Sequence, residues 1–124
     1  MDSIPNETFR KVLLELFSEA YDGPSKGYTW FIDNAPKSGM LGTLEDITSE
    51  EASRNFVENG SSIAAHTEHV RWSLALSNDY MRGEQPKSPW SESWLVKTVN
   101  DSEWNTLRSN LRTEYETLHA GIEK

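Results

Sequence analysis

Two imidazoles one helical turn apart, His66 and His69, are the residues of this chain best suited to chemistry. A histidine ring changes charge close to physiological pH, can act as acid, base or hydrogen-bond partner, and is the commonest protein ligand for a transition metal. The stretch that carries the pair, Ser62 to Met81, repeats apolar residues at helical period. On a wheel of about 100° per residue, Ile63, Val70, Leu74 and Met81 share one side, and Leu76 and Tyr80 widen it. His66 falls in the middle of that arc and His69 beside it, whereas Thr67, Glu68, Arg71, Asn78 and Asp79 take the opposite side. Both rings are therefore expected to point inward, where an unpaired polar group is costly.

An inward imidazole has two readings. The commoner is a neutral ring hydrogen-bonded to a tyrosine, a serine or a carbonyl across the core. The other is a divalent metal, zinc or nickel, on a neutral ring nitrogen. The i,i+3 spacing lets two rings approach one ion, although i,i+4 is the usual arrangement in helical zinc sites. A working site needs about three protein ligands and an open position. Beyond His66 and His69 the third would be a carboxylate, His119 or a group from another chain. His119 lies at the edge of the last helical stripe and reads as solvated or partly covered. Trp90 and Trp94 read as a lid over one end of the core before they read as a binding surface. Glu114, Glu116 and Glu123 look like a solvated face. No Ser/His/Asp set and no carboxylate pair suited to glycoside chemistry stands out.

The elements that must position these side chains are helical. Phe9, Val12, Leu13, Leu16, Phe17 and Ala20 predict a first helix that starts near Ser3 to Asn6 and ends at Tyr21-Asp22-Gly23-Pro24. Tyr28, Trp30, Phe31 and Ile32 form an apolar cluster too short to assign by period. Met40, Leu41, Leu44 and Ile47 suit a short helix, and Thr48-Ser-Glu-Glu51 is a capping box. Asn59-Gly60-Ser61 predicts a turn before the long helix of Ser62 to Met81, which Gly83, Pro86 and Pro89 stop. An irregular connection from Glu84 to Val99 leads to a last helix opening at Asn100 or Asp101 with a second capping box, Asn100-Asp-Ser-Glu103. Its stripe is Trp104, Leu107, Leu111, Tyr115, Leu118 and Ile122. The result is an all-α, up-down bundle in a single domain over residues 1–124, with up to four packed elements.

Composition bounds the partners. The 124 residues carry 12 Lys and Arg against 20 Asp and Glu, a net charge of −8 with no basic stripe, so neither nucleic acid nor an anionic membrane is expected. No run is apolar enough to span a bilayer and no signal core opens the chain. The lack of cysteine excludes disulfides, thiolate metal sites and a cysteine nucleophile, and fits a reducing, cytoplasmic setting. If only three substantial helices form, one face of the core lacks a cover, which predicts a homodimer.

Ser62-Ile-Ala-Ala-His-Thr-Glu-His-Val-Arg-Trp-Ser-Leu74 resembles the second helix of the DinB-like (YfiT-like) superfamily. The run from Trp94 through Val99-Asn-Asp-Ser-Glu-Trp104, Leu107 and Leu111 to Tyr115 resembles the third helix of some members. The likeness covers roughly Ser61 to Ile122. It implies a four-helix bundle holding a metal on three histidines, the first of which matches His66. The other two come as a His-x-x-x-His pair on a fourth helix, a pattern this sequence lacks. Lys124 falls about where helix 3 would end, so the expectation is a chain short of its fourth helix, or a site that is missing or assembled differently. The function implied is a metal-dependent transferase or hydrolase of unknown substrate. The alternative is a metal-free helical bundle that binds a small molecule or a protein and dimerises.

Overall fold

The computed structural model describes residues 3–24 and 28–124. The expected all-α class holds: the described residues form helices and no strand. Helix α1 is Asn6–Asp22, α2 Met40–Glu45, α3 Ser49–Ser53, α4 Ile63–Met81 and α5 Asp101–Glu123, and a 3-10 turn at Trp90–Trp94 interrupts the long connection between α4 and α5. None of these helices is long and apolar enough to cross a membrane. The chain gathers into two compact units. One runs through to Asp46 and includes His119–Lys124; the other is Ile47–Leu118.

In the first unit, α1 follows Pro5, whose missing N–H costs nothing at a helix start. It stops at Gly23, which takes φ 91°, a conformation a side chain resists. Helix α2 packs against α1. The approach is close because Gly39 has no side chain: a Cβ there would lie 2.5 Å from the Gly23 nitrogen and 2.6 Å from the Tyr21 carbonyl oxygen. The Trp30–Phe31 bend is held by a buried acid. Glu19, only 4% exposed, accepts the backbone N–H of Trp30 at 2.6 Å and of Phe31 at 3.1 Å. The α1 stripe expected to be core is only partly so. Phe9, Val12 and Leu13 are exposed, and Leu16, Phe17 and Ala20 are half-buried.

The second unit is built on α4. Helix α3 opens with the expected capping box, in which Thr48 and Glu51 exchange side-chain and backbone bonds. Helix α4 opens on Ser62, whose buried hydroxyl accepts the Ala65 N–H at 3.1 Å and donates to the Lys97 carbonyl at 2.6 Å. One hydroxyl thus caps the helix and ties it to the segment leading into α5. Helix α5 opens with the second expected box: Asn100 N–H donates to Glu103 at 2.9 Å, and Glu103 N–H to Asn100 at 2.8 Å. The α5 stripe is buried as expected at Trp104, Leu107, Leu111, Tyr115 and Leu118. Trp104, 2% exposed, spends its indole N–H on the Ile47 carbonyl at 2.7 Å. Full burial of such a side chain stabilises by about 1.5–3 kcal/mol.

The buried face of α4 is the one expected at Leu74 and not elsewhere. Ala64, Thr67, Leu74 and Asn78 are buried with Ala65, whereas His66, Tyr80 and Met81 are exposed and Val70 is half-buried. The small stripe faces inward because its polar members are satisfied there. Thr67 Oγ1 donates to the Ile63 carbonyl at 2.8 Å. Asn78 Nδ2 donates to the Glu114 carbonyl at 3.0 Å and to its carboxylate at 2.8 Å. Glu114, expected on a solvated face, is instead half-buried and locks α5 to α4. Bulk hydrophobicity was the wrong guide: a helix face of Ala and hydrogen-bonded Thr and Asn buries without penalty, and a histidine outside needs no partner but water.

Candidate functional site

With α4 turned this way, its outer face carries His69 and Trp72, and the 3-10 turn folds back over that face. Pro89 sets the entry to the turn, and Trp90 and Trp94 project from it onto the imidazoles. His69 is half-buried and boxed by aromatic rings. Trp94 stacks on it at 4.3 Å and 12°, Trp90 meets it edge-on at 4.5 Å and 73°, and Trp72 lies stacked at 6.3 Å. Trp72 and Trp90 meet edge-on at 5.9 Å, closing the box. The two tryptophans expected as a lid over the core are therefore a lid over an imidazole.

The indole and imidazole surfaces would be featureless without Ser93, which is fully buried between the two tryptophans of the turn. Its hydroxyl lies 2.8 Å from His69 Nδ1 and donates to the Trp90 carbonyl oxygen at 2.7 Å. With its only proton committed to that carbonyl, the Ser93 oxygen can only accept from the ring. His69 therefore holds its proton on Nδ1, and its Nε2 carries the lone pair. Nε2 has no protein hydrogen-bond partner among the described residues. It also is not sealed off, since no buried side-chain nitrogen or oxygen among them lacks a partner. The ring thus offers one fixed, solvent-touching acceptor framed by flat apolar walls.

His66 belongs to the same cluster from the outside. Its ring meets the edge of Trp94 at 5.2 Å and 88°, and the residue is exposed. The inward orientation expected of it is corrected: only His69 is partly enclosed, and a serine is what satisfies it. His119 is partly covered, as expected, with 27% of its side chain exposed.

The chain matches no family model, no curated protein and no solved structure.

A hollow of about 400 Å³ opens beside the box, lined by Trp94, Ala65, Ser62, Asn55, Asn59 and Lys97 among others. It is walled on one side by the indole that stacks on His69 and on the others mainly by amides and hydroxyls. A wider hollow of about 600 Å³ is lined by Glu68, Arg71, Val96, Val99 and Asn110, but its two charged α4 residues already pair with each other and it contains no imidazole.

The three-histidine metal site implied by the family resemblance does not fit these donors. His66 and His69 share Trp94 as a neighbour, but no group of three or more His, Cys, Asp or Glu among the described residues is placed to hold an ion. Ser93 was the residue sequence reasoning missed. A serine between two tryptophans after a proline carries no motif, and only the return of the turn onto α4 gives it a role.

Proposed function

We propose that this domain is a metal-free binding module for a small planar, polar molecule, received in the hollow beside Trp94, whose indole the His69 imidazole backs. The observation that carries the reading is the double use of Trp94. One indole stacks on the tautomerically fixed imidazole and also walls a hollow of about 400 Å³. That volume falls in the range of sites for small molecules, which combine apolar aromatic walls with a few convergent polar groups. The polar lining of Asn55, Asn59 and Lys97 favours a ligand with acceptor or weakly anionic groups on one edge. Its fold is read as a relative of the DinB-like bundle on the strength of Ser62 to Leu74 and Trp94 to Tyr115. Its donor set is not that family's, and metal-dependent transfer or hydrolysis is therefore not the reading preferred.

The test is a ligand-observed NMR screen of heteroaromatic fragments against the full chain, with Trp94→Ala and His69→Ala as comparisons. Fragments that perturb the tryptophan indole N–H signals should lose about tenfold or more in affinity in either variant, the value of one good stacking or hydrogen-bonding contact. Hits indifferent to both variants would sink the reading. So would elemental analysis finding a stoichiometric metal that both histidines are needed to retain.

A further inference from the structure

A second constellation lies in the first unit. Ser18 on α1 and His119 in the last turn of α5 are 101 residues apart in sequence, yet Ser18 Oγ lies 2.9 Å from His119 Nε2. The other ring nitrogen, Nδ1, lies 2.6 Å from the Glu123 carboxylate, one helical turn further on. Phe17 stacks along the imidazole at 6.3 Å and 17°, which limits how the ring can turn.

The proton positions follow from the groups themselves. An ionised carboxylate only accepts, so in the neutral ring Nδ1 carries the hydrogen and donates it to Glu123. Nε2 is then an acceptor, and Ser18 Oγ–H donates to it. A hydroxyl donating to an imidazole whose far nitrogen is held by a carboxylate is the arrangement that activates a serine nucleophile. Ser18 also lines a hollow of about 290 Å³ together with Leu14, Tyr28, Trp30 and Lys11. Lys11 stands two turns before Ser18 on the same helix face and has no ion-pair partner among the described residues. It is the one Lys or Arg lining that hollow among the described residues.

We propose that Ser18, His119 and Glu123 form a serine nucleophile centre acting on small neutral esters with an apolar acyl group. Ser18 Oγ bonds to the carbonyl carbon of the ester while its proton passes to His119 Nε2. The tetrahedral oxyanion is stabilised by the Lys11 ammonium. The carbon–oxygen bond to the leaving alcohol breaks, and that oxygen takes the proton from Nε2. Water then adds to the acyl-serine, giving its proton to Nε2, and Ser18 leaves with that proton as the acid departs. Ester and water yield acid and alcohol, with no other reactant. Glu123 is a positioning residue, and because its side chain is 56% exposed its hold on the ring is weaker than that of a buried acid. The apolar walls Leu14, Tyr28 and Trp30 receive the acyl chain, and Glu15 and Glu19 on the same rim disfavour anionic substrates.

The experiment is covalent labelling of the full chain with an alkyl fluorophosphonate, read by intact mass and peptide mapping, beside release of nitrophenolate from p-nitrophenyl acetate. One adduct on Ser18 is expected, with fluoride leaving as the phosphorus–oxygen bond forms. Labelling should fall about 10²-fold in His119→Ala, the usual worth of a general base. It should fall about fivefold in Glu123→Gln, and Ser18→Ala should lose both labelling and the fast phase of nitrophenolate release. Far-UV circular dichroism of each variant checks the fold. Ser18 unlabelled in the folded wild type would overturn the proposal. Labelling of Ser18 at the same rate in folded His119→Ala or His119→Gln would overturn it as well. Variants that only melt earlier, with no adduct in the wild type, would make the contact a structural bolt between α1 and the end of α5.

Discussion

Replacing Ser93 by alanine removes a single oxygen and should change the chemistry of a residue on another element. Two bonds disappear together, the 2.8 Å contact to His69 Nδ1 and the 2.7 Å donation to the Trp90 carbonyl. Each is worth about 1 kcal/mol net, and since Ser93 is fully buried the groups left behind cannot recover a full bond from water. The expected loss is about 2 kcal/mol, or roughly 6–10 °C in melting temperature for a chain of this size. The more telling readout is the tautomer. Two-bond proton–nitrogen correlation spectra at about pH 9, where an ordinary imidazole is neutral, should show wild-type His69 protonated on Nδ1. In Ser93→Ala the ring should become a mixture of tautomers, with His66 and His119 unchanged. A wild-type His69 protonated on Nε2 would refute the argument, because the Ser93 proton would then not be committed to Trp90. A tautomer unmoved by Ser93→Ala would refute it equally.

Trp104→Phe should cost about 1 kcal/mol for its bond to the Ile47 carbonyl, and Trp104→Ala about 3–5 kcal/mol through the cavity added, both read by denaturant unfolding. Asn78→Leu should cost about 2 kcal/mol or more, since it leaves the half-buried Glu114 carboxylate short of a donor; a neutral result would mean that α4 and α5 are not locked there. Glu19→Ala should speed amide hydrogen exchange at Trp30 and Phe31 while leaving α4 protected. Glu51 is held below its ordinary value of 4.5 by the backbone and then the side-chain hydrogen bond from Thr48. A depressed carboxylate contributes stability above its unfolded value and loses it as pH falls through the folded one. Glu51→Gln should therefore be less stable than the wild type near neutrality and converge with it in strong acid, as followed by unfolding midpoints between about pH 6 and 2.

The ends of the helices were legible in the sequence because they are local. Thr48 with Glu51 and Asn100 with Glu103 form boxes whose partners sit three residues apart, and both exist as read. The α5 stripe was legible because its large apolar residues are also its buried ones. Helix α4 was legible in length and not in orientation. Its bulky arc of Val70, Tyr80 and Met81 outvoted Ala64, Thr67 and Asn78 on the wheel, although Thr67 and Asn78 bury because their donors find a carbonyl or carboxylate. For Asn78 that partnership depends on Glu114, a helix away, which no period on α4 can reveal. His66 was misplaced for the same reason. Both candidate sites likewise depend on returns of the chain: Ser93 reaches His69 across 24 residues, and Ser18 reaches His119 across 101.

That last separation has a consequence for how the molecule is made. A chain leaving the ribosome emerges from its N-terminus, at about 5–20 residues per second. Helix α1 can form as soon as Gly23 is out, but the residues that complete its unit, His119–Lys124, emerge only after the whole of the other unit. Meanwhile Phe9, Val12 and Leu13 stand exposed on a finished helix. The Ile47–Leu118 unit is under no such constraint, because every residue it needs has emerged before His119 does. Its folding can precede closure of the other unit, so the segment between the two halves of the first unit can assemble before those halves meet. Contacts this distant in sequence also slow closure in refolding from denaturant, and the α1 amides should be the last to gain protection in pulse-labelling.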